Sequence, residues 1–420
     1  ERSYSAILTG LFTAEAAEKE KSPQTKISAK NALEKQRPIV GKPLGAEDRI
    51  IFGVGDSYRW DVNRIDKVQM LLPMGAPQDL ATIKDFEPSW SADGSKIVFV
   101  SVRNHPPFDN PFAIDNYRRL FIMNADGSDQ TLLAGALLGP ESEPSFSPDG
   151  EKVVFVAQYD GQEPGIYTVN VHGSGNATQV DTSACLPNGF NGWKSKPARR
   201  VTESNSSEPG FLGYDTPNFS PDGNWIIFGK NELGIIGASP MAVGNHVYRV
   251  SANGGGGCSI LYEPDVISDS HPTAAKYSPD GTKISLYRVE GYGDSAVRKL
   301  RIINASTGAL IADHTPVEFF GNAVWSPDGT KLAYTTGYYD TKMQADVVGQ
   351  RIGTYDLATS TSEVVFDSMG ADGVRGLSWG TPAAIAPAMS MRINQPNPVS
   401  SGQPTSGTLN LRDPAPVGGA

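Results

Sequence analysis

The sequence predicts an all-β fold in which four-stranded sheets repeat around a ring. A strand–turn–strand phrase occurs five times along the chain, a second strand pair follows each copy, and the two ends of the repeated region each hold half of one more unit. The copies are PSWSADGSKIVFV from Pro88, PSFSPDGEKVVFV from Pro144, PNFSPDGNWIIFG from Pro217, AAKYSPDGTKISLY from Ala274 and AVWSPDGTKLAYT from Ala323.

The Pro-Asp-Gly segment sets the turn in these phrases. Proline presets φ, aspartate bonds its local backbone, and glycine takes the left-handed conformation that other residues resist. The β-branched and aromatic run after it, such as Val153 to Val156, suits a half-buried strand. A further strand pair follows, for example Leu120–Asn124 with Gln130–Leu133, and Ile166–Asn170 with Ala177–Val180. Recurrence at intervals of roughly 50 to 70 residues marks a repeat architecture with four strands per unit. On these residues the chain resembles the TolB-like, WD-related family of β-propellers, whose blades carry "SPDG" between their first two strands. The resemblance spans about residues 48–380.

The ends of the repeated region fix the blade count. Arg49-Ile50-Ile51-Phe52-Gly53-Val54 has no SPDG phrase before it, and Val374-Arg375-Gly376-Leu377-Ser378-Trp379 has no strand after it. Trp379 matches Trp90 and Trp325, so this late segment is the missing innermost strand of the first blade. Joining the two gives a six-bladed β-propeller with Velcro-type closure, which removes exposed sheet edges at the seam. The blades are expected at 48–85 with 374–380, 86–140, 141–200, 214–265, 272–315 and 320–368. Residues 1–47 read as an N-terminal arm with short helices, and 381–420 as an extended Pro/Ser/Gly-rich tail in which Gly407–Arg412 alternates like one lone strand.

Composition narrows the function classes. A net charge of −10 opposes nucleic-acid binding, and no apolar run reaches the roughly 18 residues that a membrane-spanning helix needs. The two cysteines, Cys185 and Cys258, exclude a four-cysteine zinc site; they either pair in an oxidising compartment or stay as free thiols. No Gly-x-Ser-x-Gly elbow, phosphate-binding glycine loop or His-Glu-x-x-His motif occurs, so the expectation is a chain without catalysis or resident cofactor. Metal-dependent oligogalacturonate lyases are also SPDG propellers, with several histidines at the channel mouth. Here His271 alone stands just before an innermost strand, with His105 as a second candidate, so a lyase is only the second alternative reading.

Binding is expected on the face opposite the SPDG turns, where the segments Ser101–Arg119, Cys185–Asp215, Gly229–Asn245, Val289–Lys299 and Thr335–Gln350 are read as long loops. Glu87 and Glu143 share one repeat position, six residues before their turn aspartates, and Asp215 lies one residue from it. These carboxylates at the channel mouth call for a partner: a structural cation such as calcium, a basic group of a ligand, or Arg375 of the closing blade. Trp193, Arg199 and Arg200 in the longest loop read as a docking patch for an acidic partner. The turn aspartates themselves are read as structural. The resemblance implies secreted or periplasmic placement and protein partners held at the channel mouth. The function expected is therefore an extracytoplasmic binding or assembly module, the first alternative being a subunit of an extracellular filament or surface layer joined through its arm and tail.

Overall fold

The computed structural model describes residues 48–56, 67–71, 77–81, 84–103, 118–133, 139–158, 164–172, 176–182, 185, 214–236, 239–254, 257–263, 274–290, 297–319, 321, 323–340, 345–367 and 372–383. The N-terminal arm, the tail beyond Ala383, and His105, Trp193, Arg199, Arg200 and His271 fall outside these residues.

Among the described residues every regular element is a strand, and the strands form six four-stranded antiparallel sheets. Blade 1 joins β1 (Arg49–Asp56), β2 (Lys67–Leu71) and β3 (Gln78–Ala81) to the last strand of the chain, β24 (Asp372–Gly380), in the order β24-β1-β2-β3. Blade 2 holds β4 (Asp85–Trp90), β5 (Lys96–Ser101), β6 (Arg119–Asn124) and β7 (Thr131–Leu132). Blade 3 holds β8 (Glu141–Phe146), β9 (Lys152–Gln158), β10 (Pro164–Asn170) and β11 (Thr178–Gln179). Blade 4 holds β12 (Tyr214–Phe219), β13 (Trp225–Ile236), β14 (Ser239–Ser251) and β15 (Ser259–Tyr262). Blade 5 holds β16 (Lys276–Tyr277), β17 (Lys283–Glu290), β18 (Val297–Asn304) and β19 (Leu310–His314). Blade 6 holds β20 (Val324–Trp325), β21 (Lys331–Asp340), β22 (Ala345–Asp356) and β23 (Thr361–Asp367).

The ring closes as the half-units at its ends require. β1 and β24 pair antiparallel from Arg49↔Gly380 to Asp56↔Asp372, with Ile50 opposite Trp379. This is the six-bladed propeller with Velcro-type closure.

The core lies between blades. Six apolar clusters fill the six seams, one each. Strand alternation explains how one strand serves two seams. Ile97 and Phe99 of β5 pack with Ile51, Val68 and Met70 of blade 1, while Val98 and Val100 pack with Val153 and Phe155 of blade 3. Both faces of the strand are buried, so KIVFV reads as a continuous apolar run. Each such side chain contributes about 1.5–3 kcal/mol of burial free energy.

Two segments expected as loops are largely strand. β13 and β14 stay paired out to Ile236↔Ser239, and β21 and β22 out to Asp340↔Ala345. A register shift at Glu232/Leu233, and another between Thr335 and Gly337, absorbs the irregularity and lets pairing resume. These two hairpins lengthen blades 4 and 6 on the face opposite the SPDG turns.

Candidate binding face and channel mouth

The SPDG face is built from one local network repeated five times. In blade 3, Ser147 Oγ–H donates to Asp149 Oδ1 (2.5 Å), the Glu151 N–H donates to the same oxygen (3.0 Å), and the Lys152 N–H donates to Ser147 Oγ (2.9 Å). Ser91–Asp93, Ser220–Asp222, Ser278–Asp280 and Ser326–Asp328 repeat the serine–aspartate bond at 2.5–2.6 Å. The turn glycines hold φ between 67° and 73°. In Asp93, Asp149, Asp222 and Asp280 the serine hydroxyl, seconded by a backbone N–H, holds the carboxyl below its ordinary range, for Asp280 down to about 2. These aspartates are committed to the turns, as the sequence reading holds.

At the innermost strands the repeat position of Glu87 and Glu143 is a bulge. Glu87, Glu143, Thr216, Ala274 and Gly376 occupy equivalent places and all have positive φ, from 41° to 55°. Register shifts flank it in β4, β8 and β12, between Phe86 and Ser89, Ser142 and Ser145, and Asp215 and Asn218. At Glu143 and Thr216 the left-handed residue turns its N–H toward the preceding blade, and a glutamate of that blade meets it. Glu87 Oε2 accepts from the Glu143 N–H at 2.8 Å, and Glu143 Oε2 accepts from the Thr216 N–H.

The neighbouring seams use other side chains for the same purpose. Ser378 Oγ accepts from the Trp90 N–H at 3.1 Å across the closing seam. Asn218 Nδ2 donates to the Ala275 carbonyl at 2.8 Å, and Trp325 Nε1 donates to the Lys276 carbonyl at 3.1 Å. Five of the six seams are thus stitched beside the channel among the described residues.

The structure thus brings Glu87 and Glu143 together as links of one chain. Each directs an oxygen at the next blade's backbone. For Asp215 and Arg375 only the backbone is described: Asp215 pairs with Gly229 and Arg375 with Gly53. Among the described residues no three His, Cys, Asp or Glu side chains gather around a point where a cation would sit.

Sequence reasoning missed a second tier of charge on the long-loop face. Asp85 and Glu141, two residues ahead of Glu87 and Glu143, are fully buried. Arg103 Nη2 donates to Asp85 Oδ2 at 2.6 Å and its guanidinium lies 4.7 Å from the Phe121 ring centroid, while Glu141 Oε2 accepts from the Leu120 N–H at 2.8 Å. Their shared repeat position was the available signal. At the seam of blades 4 and 5, buried Arg288 reaches Glu290 (3.3 Å), which also meets Lys299 (2.6 Å), and Arg301 forms a bidentate pair with Asp313 at 2.7 Å on both arms.

Cys185 and Cys258 are bonded to one another, with Cα atoms 5.1 Å apart. Cys185 is buried against Phe219, Phe228 and Tyr248, so the bridge ties the segment leaving blade 3 to the outer half of blade 4.

No family model matches the chain. Solved structures do. TolB from Acinetobacter baumannii superposes with a TM-score of 0.53 at 18% identity, covering 81% of this chain and 68% of that one. A chain of the nidogen/laminin complex superposes with a TM-score of 0.51 at 8% identity, covering 80% of this chain and 99% of that one. Strand order and superposition agree on the fold: the ring is a six-bladed β-propeller like that of TolB, as the SPDG phrases imply.

Proposed function

We propose that this chain is a non-catalytic, extracytoplasmic propeller that binds a protein partner through the face opposite its SPDG turns. The observation that carries this reading is the contrast between the two faces. On the SPDG face five short turns spend their polar groups on themselves. On the other face two strand-built hairpins, β13–β14 and β21–β22, extend from blades 4 and 6 on either side of blade 5. Hairpins raised on a rigid ring form a preorganised rim, the geometry that loop-borne recognition uses. The Cys185–Cys258 bridge supports an oxidising compartment. The similar nidogen/laminin structure, solved as a complex of two proteins, supports protein recognition on this fold.

The test is photo-crosslinking in the native host. A benzophenone amino acid is placed at Glu232 or Tyr339 on the long hairpins, and at Asn224 or Thr330 in SPDG turns. Crosslinks to one discrete protein from the hairpin sites, with none from the turn sites, are expected. Crosslinks from the turn sites alone, or from neither face, would reject the assignment.

A further inference from the structure

Four tripeptides of the chain have the form Asn-x-Ser/Thr: Asn176-Ala177-Thr178, Asn205-Ser206-Ser207, Asn218-Phe219-Ser220 and Asn304-Ala305-Ser306. The pattern marks an acceptor of N-linked sugar and also arises by chance, so the surroundings of each asparagine decide its meaning. Asn205 lies outside the described residues.

Two of the other three are by-products of the fold. Asn218 is 6% exposed, and its Nδ2 donates to the Thr216 carbonyl at 2.9 Å and to the Ala275 carbonyl at 2.8 Å. A glycan on that nitrogen would break the seam of blades 4 and 5. Ser220 belongs to an SPDG phrase, and its hydroxyl donates to Asp222. Asn304 closes the turn after β18: its Oδ1 accepts from the Ser306 N–H at 2.9 Å and the Thr307 N–H at 3.0 Å. Asp356 holds the Ala358 and Thr359 N–H groups in the same way after β22, so turn chemistry accounts for Asn304.

Neither explanation reaches Asn176. Its side chain and that of Thr178 are exposed, and among the described residues neither side chain makes a hydrogen bond. Ala177 between them packs inward on the apolar cluster of blades 2 and 3, which leaves Asn176 and Thr178 together on the outward side. The amide and the hydroxyl of the tripeptide are thus presented to solvent at the start of β11, the outer strand of blade 3. A bulky hydrated chain there would also keep a foreign strand off that edge. The Val171 N–H donates to the Glu151 carbonyl, so the turn leading to Asn176 lies beside an SPDG turn, away from the long hairpins.

We infer that Asn176 carries an N-linked glycan. The donor class is a sugar held on a pyrophosphate. A bond forms between Asn176 Nδ2 and the sugar C1, the bond from C1 to the phosphate oxygen breaks, the pyrophosphate leaves with the electron pair, and one amide proton passes to the transferase's base. The inference rests on the extracytoplasmic placement proposed above and is independent of the binding face.

The experiment is peptide mass spectrometry on the protein from its native host, with free thiols alkylated before reduction. Trypsin separates residues 153–194, which hold Asn176 and Cys185, from 201–230 with Asn218 and 302–331 with Asn304. Peptide 153–194 is expected to carry sugar mass located on Asn176, with Cys185 protected from the first alkylation. Thr178→Ala should lower occupancy at least tenfold, and Thr178→Ser should keep most of it. An unmodified Asn176 beside an oxidised Cys185 would overturn the glycan and leave the compartment standing. An unmodified Asn176 beside a free Cys185 thiol would overturn both. Sugar that survives Thr178→Ala would also reject the assignment, because the tripeptide would not be what directs it.

Discussion

Asp280 shows how much one turn side chain carries. Its carboxyl is held at about 2 by the Ser278 hydroxyl and the Thr282 N–H, against an ordinary value of 3.8. A carboxyl depressed in the folded state adds stability above its unfolded value, and that stability is lost as pH falls toward the folded one. Asp93, Asp149 and Asp222 are shifted in the same direction, so the loss falls below about pH 4 and is shared by several turns. Thermal unfolding should show a melting temperature that drops between pH 4 and pH 2, and Asp280→Asn should flatten part of that drop. An unchanged acid profile in the variant would mean that the turn bonds contribute nothing at equilibrium.

Glu143 makes a different kind of statement, since its oxygen serves the backbone of Thr216 in the next blade. Glu143→Ala leaves that N–H without its partner and should lower stability by about 1–3 kcal/mol in urea unfolding, with Glu143→Gln losing less. Equal stability of Glu143→Ala and the parent would return the carboxylate to a ligand role. The two cases mark what was readable in the chain. Asp280 bonds residues two positions away, so its role follows from local turn chemistry. Glu87 and Glu143 are 56 residues apart, and the repeat gave their shared position but not the direction in which either carboxylate points.

At the scale of elements, β24 and the long hairpins stand at opposite ends of that readability. β24 was legible because Trp379 repeats the place of Trp90 and Trp325 and lacks a following strand, and a ring needs that strand. The hairpins were not. Gly234, Pro240 and Gly244 punctuate β13 and β14 as a loop would, and only the partner strand, through a bulge, keeps the ladder running. Closure depends on Gly376. Its φ of 55° is shared by residues with side chains, so conformation alone does not demand glycine there. Contact does, because a Cβ at this position would sit 2.7 Å from the Glu87 Cα. Gly376→Ala must therefore push β24 away from β4 and should lower stability by roughly 2–3 kcal/mol. Ala274→Gly, at the equivalent place in blade 5, is the control: glycine suits its φ of 41° and only one buried methyl is lost, so the change should cost no more than about 1 kcal/mol. Matching losses in the two variants would show that the closing seam is no tighter than the others.

The whole ring behaves as six equivalent seams with one covalent exception. Each blade shares its apolar faces with two neighbours, so no blade has a core of its own and unfolding is expected to be cooperative around the circle. The Cys185–Cys258 bridge spans 73 residues and includes the segment between blades 3 and 4, the longest interval between consecutive blades. Cross-linking a loop of that length removes unfolded-state entropy equivalent to about 4 kcal/mol, an upper figure because real unfolded chains are partly compact. The Cys185→Ser/Cys258→Ser double variant should therefore unfold at lower urea than the oxidised parent and coincide with the parent under reductant. Amide exchange should show the loss spread uniformly around the ring, because the bridge acts through the unfolded chain. A loss confined to Thr178–Gln179 and Ser259–Tyr262, the strands closest in sequence to the two cysteines, would mean that it acts on the folded state instead. If oxidised and reduced parents unfold together, the bridge adds nothing to the six apolar seams.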